Sequence, residues 1–215
     1  IIISPVVGEN YEEKNTRILK KLIHQDVPFI LVDKYLRNMD CSYVVSDSLE
    51  SSYKMTTNLI KAGHQKIAVL MGLDCSSFED RLAGYKNALA NHNIPYDPGL
   101  VLECDERRID SGDIEMILEF LQTNTSLTAI FAFNATLARG IILALQKLGK
   151  KIPDGLTLAT YDNPALPHLI TDNSFARIDQ RHSAKSIITS MRTVNGECVI
   201  AFTQIGGKVF HIKVI

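Results

Sequence analysis

Arg81, Asp162 and Asn134 are the side chains in this sequence best suited to holding a small polar molecule. A guanidinium offers a planar fork of donors to hydroxyls or to a carboxylate. Asp162 offers acceptors, so the two together could grip vicinal hydroxyls. Each also has a plainer reading. Arg81, read as opening a helix, opposes the helix dipole at a cost of a few tenths of a kcal/mol, which Glu79 and Asp80 could offset at a solvated helix end. Asp162 could cap a turn through Asn163, and Asn134 could simply cap the helix that follows it. Asp33 stands where a strand ends and could equally be a turn residue. Cys75, Ser77 and Phe78 fall in a loop before Arg81, and Phe78, Phe133 and Tyr161 are the aromatics placed to stack on a ligand. With no Trp in the chain, strong stacking on a ligand is less assured.

These residues share a place: the carboxyl ends of strands in an alternating pattern of strands and helices. Val27–Asp33 (VPFILVD) and Lys66–Met71 read as apolar strands of the parallel type. Short strands are expected at Ile1–Ile3 and Ser42–Val45, and further strands at Leu100–Cys104, Leu127–Phe133 and Leu156–Tyr161. Helices are expected over Tyr11–His24, from Asp47 or Ser48 to Ala62, and over Glu79–His92. Two more follow the stripes Ile114, Ile117, Leu118, Leu121 and Leu137, Ile141, Leu145, Leu148. Gly63 and Gly149 read as helix stops. The stretch Asp162–Gln180 is long and aperiodic, with Pro164 and Pro167, which suits a functional loop or a crossover between lobes. A last amphipathic helix is expected through Ala184, Ile187, Ile188, Met191 and Val194. Such alternation means βαβ units and parallel sheets with right-handed crossovers.

The totals exclude several classes. A net charge of −1 over 215 residues lacks the basic excess of a nucleic-acid binder. No apolar run approaches the roughly 20 residues of a membrane span. Cys41, Cys75, Cys104 and Cys198 are scattered, with neither the clustering of a zinc site nor the density of a disulfide scaffold. They read as reduced thiols of a cytoplasmic protein, and no metal or cofactor is expected. Both ends, Ile1-Ile-Ile-Ser-Pro5 and Val209–Ile215, read as core strands, so the chain is expected to be a fragment cut at both ends.

The ordered pieces IIISP, VPFILVD, YVVSD, LIKAGHQKIAVLMG, RLAGYKNAL, LTAIFAFNATLARG, ALQKLGKKIPDGLTLATYDN and RIDQ resemble the effector-binding core of the lactose-repressor (LacI/GalR) family of bacterial transcription regulators. Each motif is short, but their order and spacing cover residues 1–195. The resemblance implies an α/β fold of the type I periplasmic-binding-protein class, two-lobed, with parallel sheets flanked by helices and an incomplete N-terminal lobe. It implies residues 1–63 and 178–196 in the first lobe, and 64–177 and 197–215 in the second. By position, Arg81, Asp162 and Asn134 match family residues that contact effector, and Asp33 matches one lining the interlobe cleft. Where the family usually has an aspartate after the asparagine, this chain has Ala135, and Lys34 stands where arginine is common.

The function implied is a ligand sensor, binding a sugar or related metabolite and controlling DNA binding by a helix-turn-helix that this sequence lacks. The family works as a homodimer, away from any membrane. An alternative with the same fold is a periplasmic or extracellular sugar-binding protein for transport or signalling. An enzyme is disfavoured, since no G-x-S-x-G, Walker A or G-x-G-x-x-G motif is present. Asp33 and Asp162 alone would leave room for glycosidase-like acid–base work.

Overall fold

The computed structural model describes residues 1–109, 112–149 and 156–161, and the backbone of three strands at 190–194, 197–203 and 209–213. In chain order the elements are β1 (Ile2–Ile3), α1 (Tyr11–His24), β2 (Ile30–Val32), β3 (Tyr43–Ser46), α2 (Ser48–Lys61), β4 (Ile67–Met71) and α3 (Ser76–Asn91). There follow β5 (Val101–Glu103), α4 (Asp113–Thr123), β6 (Ala129–Ala132), α5 (Ala135–Lys147), β7 (Thr157–Thr160), β8 (Ser190–Val194), β9 (Glu197–Thr203) and β10 (Val209–Lys213). No helix among the described residues is long and apolar enough to cross a membrane.

The chain divides into two compact units, one of Ile1–Ser48, Asp74–Asp80 and Ile178–Ile215, the other of Leu49–Leu73 and Arg81–Arg177. In the first unit β1, β2 and β3 are parallel. An antiparallel ribbon extends them in the order β1-β2-β3-β10-β9-β8. The expected lobes put 197–215 in the second lobe and the lobe crossing near Gly63, whereas here β9 and β10 extend the first unit's sheet and α2 groups with the second unit. Tyr11, Leu19, Leu31 and Leu36 form the first unit's core, with Ile3, Phe29 and Tyr43 packed against it. The helix expected through Ala184 to Val194 is corrected at its end, because Ser190–Val194 is a strand with Met191 opposite Ile200. The β-branched Thr193 and Val194 suit a pleated ribbon, and a helical stripe does not exclude one.

The second unit holds the all-parallel sheet β5-β4-β6-β7. Every residue of β4 and of β6 is buried, as befits central strands covered on both faces. Leu137, Ala138, Ile141, Ala144 and Leu145 supply the buried stripe of α5. Gly63 and Gly149 take positive φ (97° and 64°) just past their helices, the left-handed stop that glycine adopts without strain.

Candidate functional site

The second sheet has a built-in crevice. From β4 the chain passes through α3 to β5 on one side, then through α4 to β6 on the other side of β4. Connections leaving β4 and β6 in opposite directions open a gap at their carboxyl ends, where ligands bind in open α/β sheets. The residues after β6 are Phe133 and Asn134, the residue after β7 is Tyr161, and α3 brings in Arg81.

Arg81 is 7% exposed. Its Nη1 donates to the carbonyl of Phe133, and its guanidinium lies 3.5 Å from the centroid of the Tyr161 ring. A buried cation is tolerated when carbonyl oxygens and a π face replace its water. The backbone under it is equally fixed. Ser52 Oγ on α2 donates to the Arg81 carbonyl at 2.6 Å, and Tyr85 Oη on α3 donates to the Ile67 carbonyl at 2.8 Å.

Asn134 caps α5: its extended backbone lets Oδ1 accept from the Leu137 N–H at 2.9 Å. Its Nδ2 donates to Glu106, which sits in the turn after β5. Phe133 is fully buried, and its ring meets Phe131 edge-on with centroids 5.1 Å apart. Its carbonyl is the acceptor in the Arg81 contact.

The expected loop before Arg81 is corrected, because α3 begins at Ser76. Ser77 and Phe78 are therefore helical, and Cys75 precedes the helix with its carbonyl accepting from the N–H groups of Phe78 and Glu79 (3.1 and 3.0 Å). Arg81 is thereby carried into the second turn, where the dipole penalty has largely faded. The early start has a cause in the first unit, to which Asp74–Asp80 belong. Ser76 Oγ accepts from the Tyr35 N–H at 2.9 Å. Arg37 donates to Glu79 and to Asp80, both at 2.8 Å. Tyr35 Oη donates to Asp80 at 3.1 Å, and Tyr11 Oη to Glu79 at 3.0 Å. Burial, reinforced by these carboxylates, pushes both tyrosine hydroxyls above their ordinary range. Burial works against the Arg37 charge, but the bonds to Glu79 and Asp80 outweigh it and hold the guanidinium above its usual value.

Of the other expected site residues, Cys75 and Phe78 are buried in the first unit, with Cys75 Sγ 3.3 Å from Ser77 Oγ. Asp33 closes β2 at a positive φ of 71°, its side chain 61% exposed and paired with Lys34. Asp162 and the loop after it lie outside the described residues. The structure thus gathers Arg81, Phe133, Asn134 and Tyr161 in one unit and adds Glu106, which the sequence reading passed over. The signal for Glu106 was available, since it follows β5 as Asn134 follows β6.

The sequence profile of the family described as "Periplasmic binding proteins and sugar binding domain of LacI family" matches residues 7–195. The chain is 33% identical over 145 residues to the "HTH-type transcriptional repressor PurR" of Vibrio atlanticus, covering 65% of this chain and 42% of that protein. It is 31% identical over 147 residues to the "Ribose operon repressor" of Haemophilus influenzae, covering 67% and 43%. The matches thus span less than half the length of those relatives. Among solved structures, it resembles a sugar-binding transcriptional regulator of the LacI family from Escherichia coli complexed with phosphate. That likeness has a TM-score of 0.60 and 29% identity, over 77% of this chain and 58% of the other. With the profile running through both units and the β5-β4-β6-β7 sheet in place, this chain belongs to the family of periplasmic binding proteins and LacI-type sugar-binding domains.

Proposed function

We propose that this chain is the effector-sensing part of a bacterial transcription regulator. It holds a small metabolite, a sugar or a purine-like compound, at the carboxyl ends of β4–β7, and operator DNA is bound by a module outside this sequence. In this reading the regulator is a cytoplasmic homodimer, and the chain catalyses no reaction. The relatives named as repressors support regulation over transport.

The observation that carries the reading is Arg81, a buried guanidinium fixed by a carbonyl and a ring at the crevice of a parallel sheet. A donor fork held in place before ligand arrives loses little freedom on binding, which favours affinity. The Tyr161 ring lies against it, and Asp162 is a further contact the family resemblance implies.

The test is calorimetric titration of the full-length protein with ribose, cellobiose, hypoxanthine and guanine. Wild type is expected to bind at least one, and Arg81→Ala to weaken it by about a hundredfold, as loss of a charged hydrogen-bonding group does. Arg81→Ala binding as tightly as wild type, with a melting midpoint showing it folded, overturns the assignment.

A further inference from the structure

We infer that Glu106 sets the ligand specificity of this site, selecting a neutral molecule that presents adjacent hydrogen-bond donors and rejecting an anionic one. The inference rests on the proposed function and deepens it.

It begins with the Asn134 amide, whose orientation is decided by the fold. Oδ1 accepts from the Leu137 N–H at the start of α5, an N–H with no helical carbonyl to use. The amide is therefore not free to flip, and Nδ2 must face Glu106, to which it donates. Asn134 has spent its acceptor and one donor on the protein. The group left to read a ligand is the carboxylate it holds.

Arg107 and Arg108 each pair with another carboxylate, and Glu106 acts on Arg107 only as a weaker attraction through space. Arg107 is turned onto Asp105, with Nε and Nη2 at 2.9 and 2.8 Å from its two oxygens. Arg108 lies 3.4 Å from Asp113. Asp105 in turn caps its own turn by accepting from the Arg107 N–H. Among the described residues, the hydrogen-bond partner of Glu106 is the neutral Asn134 amide. An ionised carboxylate has about four acceptor positions and no donor. With one position taken, the remainder face a ligand as acceptors only, beside the second N–H of Asn134. Such an edge fits vicinal hydroxyls, or the N–H edge of a purine base, and repels phosphate or carboxylate.

This carboxylate stands beside an asparagine that is followed in sequence by Ala135.

The full-length protein, as wild type, Glu106→Gln and Glu106→Asp, is titrated with ribose, cellobiose, hypoxanthine and guanine. Each is paired with a phosphorylated counterpart, such as ribose 5-phosphate for ribose or inosine monophosphate for hypoxanthine. Sugar and base arms distinguish the two sources of the donor edge. Glu106→Gln is isosteric and can keep the Asn134 contact, so a merely structural role predicts an unchanged preference. The expected result is a loss of about tenfold or more for the neutral ligand, with the neutral-to-phosphorylated affinity ratio falling by at least as much. Glu106→Asp, which keeps the charge, should retain rejection of the phosphorylated form while binding the neutral one more weakly. An unchanged ratio in Glu106→Gln overturns this inference alone. Failure of the wild type to bind any of these compounds overturns the proposed function and this inference with it.

Discussion

At the scale of single residues, one amide supports both a helix and a carboxylate. Asn134 was legible in the sequence as a cap or as a ligand contact, with the choice open. The geometry shows the cap at 2.9 Å and adds the bond to Glu106. Asn134→Ala removes both. We expect it to cost the second unit about 1 kcal/mol through loss of the cap, read as a lower urea midpoint. It should also weaken ligand binding, because the Glu106 carboxylate loses the group that orients it. A midpoint equal to wild type would mean that solvent satisfies the Leu137 N–H at no cost. Arg81 stands out in the sequence by its place after a strand, but its position in the helix differs from the one expected. It does not defy the dipole of a first turn, since α3 begins five residues earlier, at Ser76. Glu106 follows β5 as Asn134 follows β6, but it stands among the charged residues of Cys104-Asp-Glu-Arg-Arg108, and the Asn134 contact is what singles out one carboxylate among them.

At the scale of elements, Arg81 is only as well placed as the crossing of α2 and α3. Gly84, one turn beyond Arg81, allows that crossing. A Cβ built there would lie 2.2 Å from the Leu49 carbonyl oxygen, 2.9 Å from the Tyr53 nitrogen and 3.0 Å from Ser52 Cβ. Two of these neighbours are backbone and cannot rotate away. Gly84→Ala must therefore push the helices apart, straining the Ser52–Arg81 hydrogen bond. The expected cost is about 2 kcal/mol or more, at the upper side of ordinary overpacking. Gly140→Ala is a useful contrast, because its Cβ would meet side-chain methyls of Ile117 and Ile109 at 3.0–3.2 Å, which can shift. Urea unfolding of both variants checks the order, and a Gly84→Ala midpoint at or above that of Gly140→Ala would refute it. The helices themselves were largely readable, because apolar stripes and glycine stops are local signals. Close approach at Gly84 was not, because it depends on a partner more than thirty residues away in the chain. The same holds for the start of α3, fixed by Tyr35 and Arg37, and for β8, which exists as a strand through pairing with β9.

At the scale of the whole molecule, both units bury hydroxyl and thiol groups that fold best when protonated. In the second unit, burial, with Asp113 and Glu103 adding to it, pushes the Cys104 thiol from 9.0 up to about 12. Tyr85, buried under the start of β4, is raised above 10.0 chiefly by burial. In the first unit Tyr11 and Tyr35 are raised as well. A folded pKa above the unfolded one favours the protonated form in the fold. The stabilisation is then complete below the unfolded value and disappears as pH rises through the folded one. The affected window therefore opens near pH 9 for Cys104 and near pH 10 for the tyrosines. Within it, each such group can withdraw up to about 1.4 kcal/mol per pH unit. Stability measured by urea unfolding should be flat from pH 7 to 8.5 and fall steadily above pH 9. Two units need not unfold as one transition, so the second is followed separately through Cys104→Ala. That variant is less stable at pH 7 because of the cavity, but its decline between pH 9 and 10 should be shallower by most of one proton. An equal slope in the variant and the wild type would show that the thiol ionises alike in both states and that the alkaline loss arises elsewhere.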